Sequence, residues 1–174
     1  MGALWHPNAI RRIHTDSGFH QGGGRKVVWH TTEGTSLPNY GGSSPHFTLD
    51  PGTGRLWQHI PLNRGGRALL PGGPNFWNAI QVELIGFAKD TQTWSDASYA
   101  RIAKLARWIE ANFGVPRSAG VTFAGHGATP HLESLEAFRS YAGHIGHQHV
   151  PGNTHWDPGL LKIDLILHQS GGGG

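Results

Sequence analysis

The sequence predicts an α/β fold, one central sheet flanked by helices, and three observations carry that expectation. Short runs rich in Val, Ile, Trp and Phe, bounded by Gly, Pro or Asp, fill the first half of the chain. A long stretch of helical period follows, and a shorter apolar one closes the chain. At 174 residues the length suits one domain able to bury its own core.

Residues 1–24 read as a lead-in with at most one short helix, ending in Gly22-Gly23-Gly24. Lys26-Val27-Val28-Trp29-His30 is too brief for a helix and rich in β-formers, so it is a buried strand. A Gly/Ser/Pro loop then runs to residue 45. His46–Leu49 and Arg55–Ile60 flank Asp50-Pro51-Gly52-Thr53-Gly54, two alternating runs around a turn, which makes a hairpin. Ala79–Gly86 is the next strand; its alternation puts Gln81, Glu83 and Ile85 on one face and Ile80, Val82 and Leu84 on the other.

Ser95 or Asp96 caps the clearest helix, with Tyr99, Ile102, Leu105, Ala106, Ile109 and Phe113 at helical spacing and Gly114 and Pro116 as its stop. Val121–Ala124 is a candidate strand, and His131–Tyr141 is weakly helical. Pro158 is expected to begin a last helix through Leu160, Leu161, Leu165 and Ile166. Residues 1–169 form the expected domain, and Ser170–Gly174 reads as a Gly-rich linker or tail.

Composition narrows the function. Charged residues make up only 14%, against 27 glycines and seven tryptophans, as in a loop-rich globule with an aromatic surface or cleft. The net charge of +3 is spread over dispersed basic residues, too thin a footprint for nucleic-acid binding. No apolar run approaches the roughly 20 residues that span a bilayer, and no charged-then-apolar leader opens the chain. With 13 histidines and no cysteine, any metal must be held by His, Asp or Glu.

The histidines thicken in "GHQHVPGNTHWDPG", residues 146–159. Pro151-Gly152-Asn153 should reverse the chain, so that His147 and Asp157 meet across the turn with His155 close by. Neutral imidazole and carboxylate suit zinc, whose catalytic sites use three protein ligands and leave a fourth position to water. Asp157 before Pro158 would equally serve as an ordinary helix N-cap. Spacing alone does not choose among His126, His144, His147 and His149, and His46 has no evident task. His30 at a strand end could be a satisfied core residue. Glu83, mid-strand among apolar residues, either faces solvent or needs a partner, a raised pKa or a metal.

Four segments in order, His30-Thr31-Thr32-Glu33-Gly34, Ser44-Pro45-His46-Phe47, Ile80 to Gly86, and Gly146-His147 through Asp157-Pro158-Gly159, resemble the zinc-dependent N-acetylmuramoyl-L-alanine amidases. That family shares its fold with peptidoglycan recognition proteins and several phage lysins. The resemblance covers roughly residues 25 to 165, and its anchor is a His, a basic residue eight positions on, and Asp-Pro-Gly two further. It implies a mixed central sheet, Zn²⁺ on His30, His147 and Asp157, Glu83 as general base, and His155 as donor to the oxyanion. The basic position is often Lys in relatives. The stretch from Gly125 to Tyr141 is longer than the family minimum and holds a second Gly-His pair, but only His147 has the downstream Asp at the right distance.

The reaction so implied is hydrolysis of the amide between N-acetylmuramic acid and L-alanine in peptidoglycan, by a monomer with no nucleic-acid partner. A phage lysin made in the host cytoplasm and released to the wall fits best, a cytoplasmic bacterial amidase being the alternative. The rival functions are a non-catalytic peptidoglycan-binding module and a zinc hydrolase acting on another amide or peptide.

Overall fold

The computed structural model describes residues 2–169, so the Gly-rich tail lies outside the described residues. Six strands form one mixed sheet in the order β1-β4-β3-β5-β2-β6. They are β1 (Ile10–Arg11), β2 (Lys26–Thr31), β3 (Phe47–Leu49), β4 (Leu56–Gln58), β5 (Ala79–Leu84) and β6 (Gly143–Gly146). Only the β3–β4 hairpin is antiparallel; the other neighbours run parallel. Its turn is tied by Asp50, whose carboxylate accepts from the Gly52 N–H at 2.9 Å.

The alternation along β2 and β5 sorts the two faces. Val27, Trp29, Ile80, Val82 and Leu84 pack with Tyr99, Ile102, Leu105, Ala106 and Ile109 of helix α1 (Asp96–Phe113). Helix α3 (Ile163–His168) adds Ile166 to this cluster. Ser95 caps α1 by accepting from the Ser98 N–H at 3.1 Å, and Gly114 ends it at φ 74°, where an L side chain is strained. The second face carries a smaller cluster, Val28, Ile145, Val150 and Phe138 of helix α2 (Leu135–Ser140). Loops cover the rest of it, and that leaves room for a groove.

Several elements depart from expectation. The lead-in has no helix; its β1 pairs with β4, leaving Ile10 and Ile13 exposed. Residues 121–124 are not a strand, because both backbone polar groups of Ala124 are taken by the Gln148 side chain. The helix expected over 131–141 shrinks to α2, capped by Ser134. No helix starts at Pro158, and Asp157 is no N-cap. The Pro158 carbonyl accepts from Thr91 at 2.8 Å, and Gly159 turns left-handed at φ 68° against the Ala88 backbone, so the helix begins only at Ile163. β6 had no visible signal: "GHIG" holds two glycines, and a Cβ on Gly143 would meet the Ser118 carbonyl.

Behind β2 and β6 lies a buried polar chain. The Trp29 indole N–H donates to His144 Nδ1 at 3.1 Å, so the ring hydrogen of His144 sits on Nε2 and is donated to Glu110 at 2.9 Å. Arg107 and Arg117 bind the same carboxylate at 2.8 and 2.9 Å. Burial alone would raise the Glu110 pKa, but hydrogen bonds from His144 and Arg117 and the Arg107 charge hold it below the ordinary value. Its stabilising effect is therefore complete above the unfolded pKa of about 4.3 and fades as pH falls through the lower folded value. Glu110→Gln should cost about 1–3 kcal/mol at pH 7. In urea melts the gap to the parent should narrow below about pH 4; a gap independent of pH would refute this account.

Candidate metal centre

Three parallel strands and one return loop build the site. In the β2–β5 register His30 lies directly beside Glu83, and Thr48 of β3 lies beside Glu83 on its other side. Opposed residues project from the same face, so His30, Glu83 and Thr48 form a row near the C-terminal ends of β2 and β5. His147 follows β6 immediately, in a single 3-10 turn, and extends the row past His30. Such strand ends are where open parallel sheets place their ligands.

Asp157 reaches the row only because the chain doubles back around Gly152 (φ 87°). Gln148, fully buried, holds that return. Its side-chain amide donates to Trp156 O at 2.8 Å and Ala124 O at 3.0 Å, and its N–H donates to Asp157 O at 2.9 Å. Sequence reading passed over this residue, since a Gln between two histidines carries no recognisable signal. Glu33, at φ 55°, was also passed over: its carboxylate accepts from Thr31 at 2.6 Å and from the Ala88 N–H at 2.8 Å. It thereby clamps the end of β2 to the loop after β5.

His30, His147 and Asp157 are all buried, and among the described residues they form the group able to hold a metal ion. His30 Nδ1 lies 3.1 Å from His147 Nδ1, His147 Nδ1 lies 3.2 Å from Asp157 Oδ1, and His30 Nδ1 lies 3.7 Å from Asp157 Oδ2. Bonds of about 2.0–2.1 Å in a tetrahedron would space their donors about 3.3–3.4 Å apart, so the three atoms fit such an ion. Glu83 Oε2 is also buried without a protein partner, as befits a site completed by something other than protein.

The electrostatics suit the same use. Burial, with His147 beside it, lowers the His30 pKa to about 3, so the ring is a neutral donor. Burial opposes charge on Asp157, yet hydrogen bonds from His147 and His155 hold its pKa well below the carboxylate range. Glu83 goes the other way, raised by burial and then by the charges of Asp157 and Glu33. Its Oε1 stands 3.7 Å from His30 Nδ1, at the edge of a groove of about 470 Å³. His155 lines the same groove, largely exposed, stacked on the His147 ring at 4.3 Å and 3.6 Å from Asp157. Tyr40, Arg67 and Leu70 line the groove as well.

The competing histidines are elsewhere. His126 packs edge-on against Trp156, outside the cluster. His144 belongs to the Glu110 chain. His149 bridges the Gly146 N–H and the Thr122 carbonyl, and His46 bridges the Gln81 N–H and the Arg64 carbonyl. His46 and His149 are thus backbone staples.

The sequence model of the N-acetylmuramoyl-L-alanine amidase family matches residues 20–160. Among solved structures, the N-acetylmuramoyl-L-alanine amidase LysC from Clostridium intestinale URNW is similar at TM-score 0.58 and 13% identity, over 92% of this chain and 95% of that one. The endolysin amidase LysCS, also from Clostridium intestinale URNW, gives 0.60 at 13% identity over 94% and 95%. The Staphylococcus aureus hydrolase AmiA gives 0.56 at 14% over 94% and 82%. At such identities the likeness is one of fold, and no curated protein matches the sequence. The family match spans most of the chain, including every residue of the row, and the chain belongs to the N-acetylmuramoyl-L-alanine amidase family.

Proposed function

We propose that this peptidoglycan amidase cuts the bond between N-acetylmuramic acid and L-alanine with zinc held by His30, His147 and Asp157, Glu83 as general base and His155 as oxyanion donor. The single observation that carries the ligand set is the spacing of the three donor atoms, 3.1, 3.2 and 3.7 Å. Zinc there would supply Lewis acidity to the scissile carbonyl and to the attacking water.

The remaining work falls to the protein. Glu83, buried beside the cluster with one oxygen unpartnered, takes the proton of the attacking water and returns it to the departing alanine amine. A raised pKa makes its carboxylate a better proton acceptor. His155 stands on the open side of the cluster, where a ring N–H can reach the oxygen of the tetrahedral species. The groove wall of Tyr40, Arg67 and Leu70 takes the substrate beyond the scissile bond.

A lysin role in phage release is the fuller reading. It is supported by the endolysin among the fold neighbours and by the absence, among the described residues, of any helix long and apolar enough to cross a membrane. Mass spectrometry of digested wall tests the reaction: free stem peptides beginning with L-alanine are expected. New reducing ends without new alanine amino termini would mean a glycosidase, and binding without any cleavage would mean a recognition module.

The purified protein should carry one zinc per chain, and His30→Ala, His147→Ala and Asp157→Ala should each lose it. His126→Ala should keep its metal. Metal analysis giving the reverse pattern for His126 and His147 would overturn the ligand set. Glu83→Gln should retain zinc and lose about 10²–10⁴-fold in turnover; near-normal turnover would make Glu83 structural. His155→Ala should keep zinc and lose roughly 10²–10³-fold, with His155→Lys retaining much more activity. Metal loss in both His155 variants would instead make it a ligand.

A further inference from the structure

Beside Glu83, on the β3 side of the groove, runs a hydrogen-bond chain whose direction is fixed from its buried end. His59 Nδ1 lies 2.8 Å from the Arg12 carbonyl oxygen, which can only accept, so His59 donates there. His59 is fully buried, stacked on His14 at 4.4 Å, and burial lowers its pKa to about 4. The neutral ring has only a lone pair left at Nε2, 2.9 Å from Thr48 Oγ1, so the Thr48 hydroxyl must donate to it. Thr48 has then spent its one hydrogen. At 2.7 Å it can only accept from Tyr40, whose phenol burial keeps protonated. Tyr40 has spent its hydrogen too, and its oxygen can only accept from whatever enters the groove.

We propose that Tyr40 positions the substrate as an acceptor for a peptide N–H of the stem, and that Thr48 and His59 set this polarity. The proposal rests on the reading of the groove as an amidase site. Its location is specific: Thr48 is in register with Glu83 on the adjacent strand, a spacing of about 4.8 Å between strands. Tyr40 thus lines the groove next to the strand that carries Glu83, the group that returns the proton to the leaving amine. An oxygen free to donate as well could donate to a carbonyl in the same place and would not distinguish the two orientations of a peptide.

The test uses a soluble N-acetylmuramoyl tripeptide and an analogue methylated at the nitrogen of the peptide bond after L-alanine. Tyr40→Phe should lower kcat/KM for the parent substrate about 3- to 10-fold, carried by KM, as for one lost hydrogen bond. Thr48→Val frees the Tyr40 hydrogen to point into the groove and should lower it at least as much, while Thr48→Ser restores it. In a Tyr40→Phe background Thr48→Val should add nothing. The wild type should discriminate against the methylated analogue, and Tyr40→Phe should discriminate less.

An unchanged KM in Tyr40→Phe would overturn the proposal, as would a loss carried by kcat, an additive Thr48→Val effect or undiminished discrimination against the analogue. If Thr48→Val does not fold, the Tyr40→Phe and analogue comparison still decides. A wild type that releases no stem peptide would sink the amidase reading itself, whereas an active wild type beside an unaffected Tyr40→Phe would sink this inference alone.

Discussion

The in-register parallel pairing of β2 with β5 is what the rest of the site depends on, because it puts His30 and Glu83 side by side on one face. A slip of one residue on either strand would turn one of them into the α1 core and bring Trp29 or Val82 to the groove. The register is held from the opposite face, where Val27, Trp29, Ile80 and Val82 are fully buried against the helix. Hydrophobic packing on one side of the sheet thus aligns polar chemistry on the other. β3 and β6 extend that alignment, to Thr48 in one direction and to His147 in the other.

A cluster of buried titratable groups is costly unless each group has a defined partner or protonation state. Here the three kinds of side chain are driven apart. His30 is kept neutral and Asp157 ionised, while the Glu83 pKa is pushed up. The first two states are those a metal requires of its ligands, and a raised pKa makes a carboxylate a better proton acceptor. Burial favours the neutral form of all three, so the distinction comes from the neighbours: Asp157 lies beside three imidazoles, whereas Glu83 faces two other carboxylates.

Much of this was legible in the chain. The strands around residues 26–30 and 79–86, the 50–54 hairpin turn and the α1 helix with its Ser95 cap and Gly114 stop all stood out, because each follows a local rule. The bend at Gly152 and the approach of Asp157 to His147 were likewise visible as turn chemistry and spacing. β6 was not, since its two glycines answer to backbone crowding against Ser118 and not to strand propensity. The late start of α3 was hidden for a similar reason: Thr91 and Ala88, roughly 70 residues earlier in the sequence, occupy the space around Pro158 and Gly159.

By itself the sequence determined the fold class, the alternation that puts Glu83 opposite the core-facing residues of its strand, and the supply of histidine and carboxylate where cysteine is absent. These are properties of nearest neighbours and periodicity, which a linear chain carries openly. Tertiary structure alone decided the tasks of His46, His144 and His149, because imidazole is chemically the same whether it staples a backbone, relays a hydrogen bond or faces a metal. It also decided the direction of the Tyr40–Thr48–His59 chain and the part played by Gln148. Both depend on which carbonyl lies within 3 Å of a given side chain, a distance that exists only once segments remote in sequence have packed.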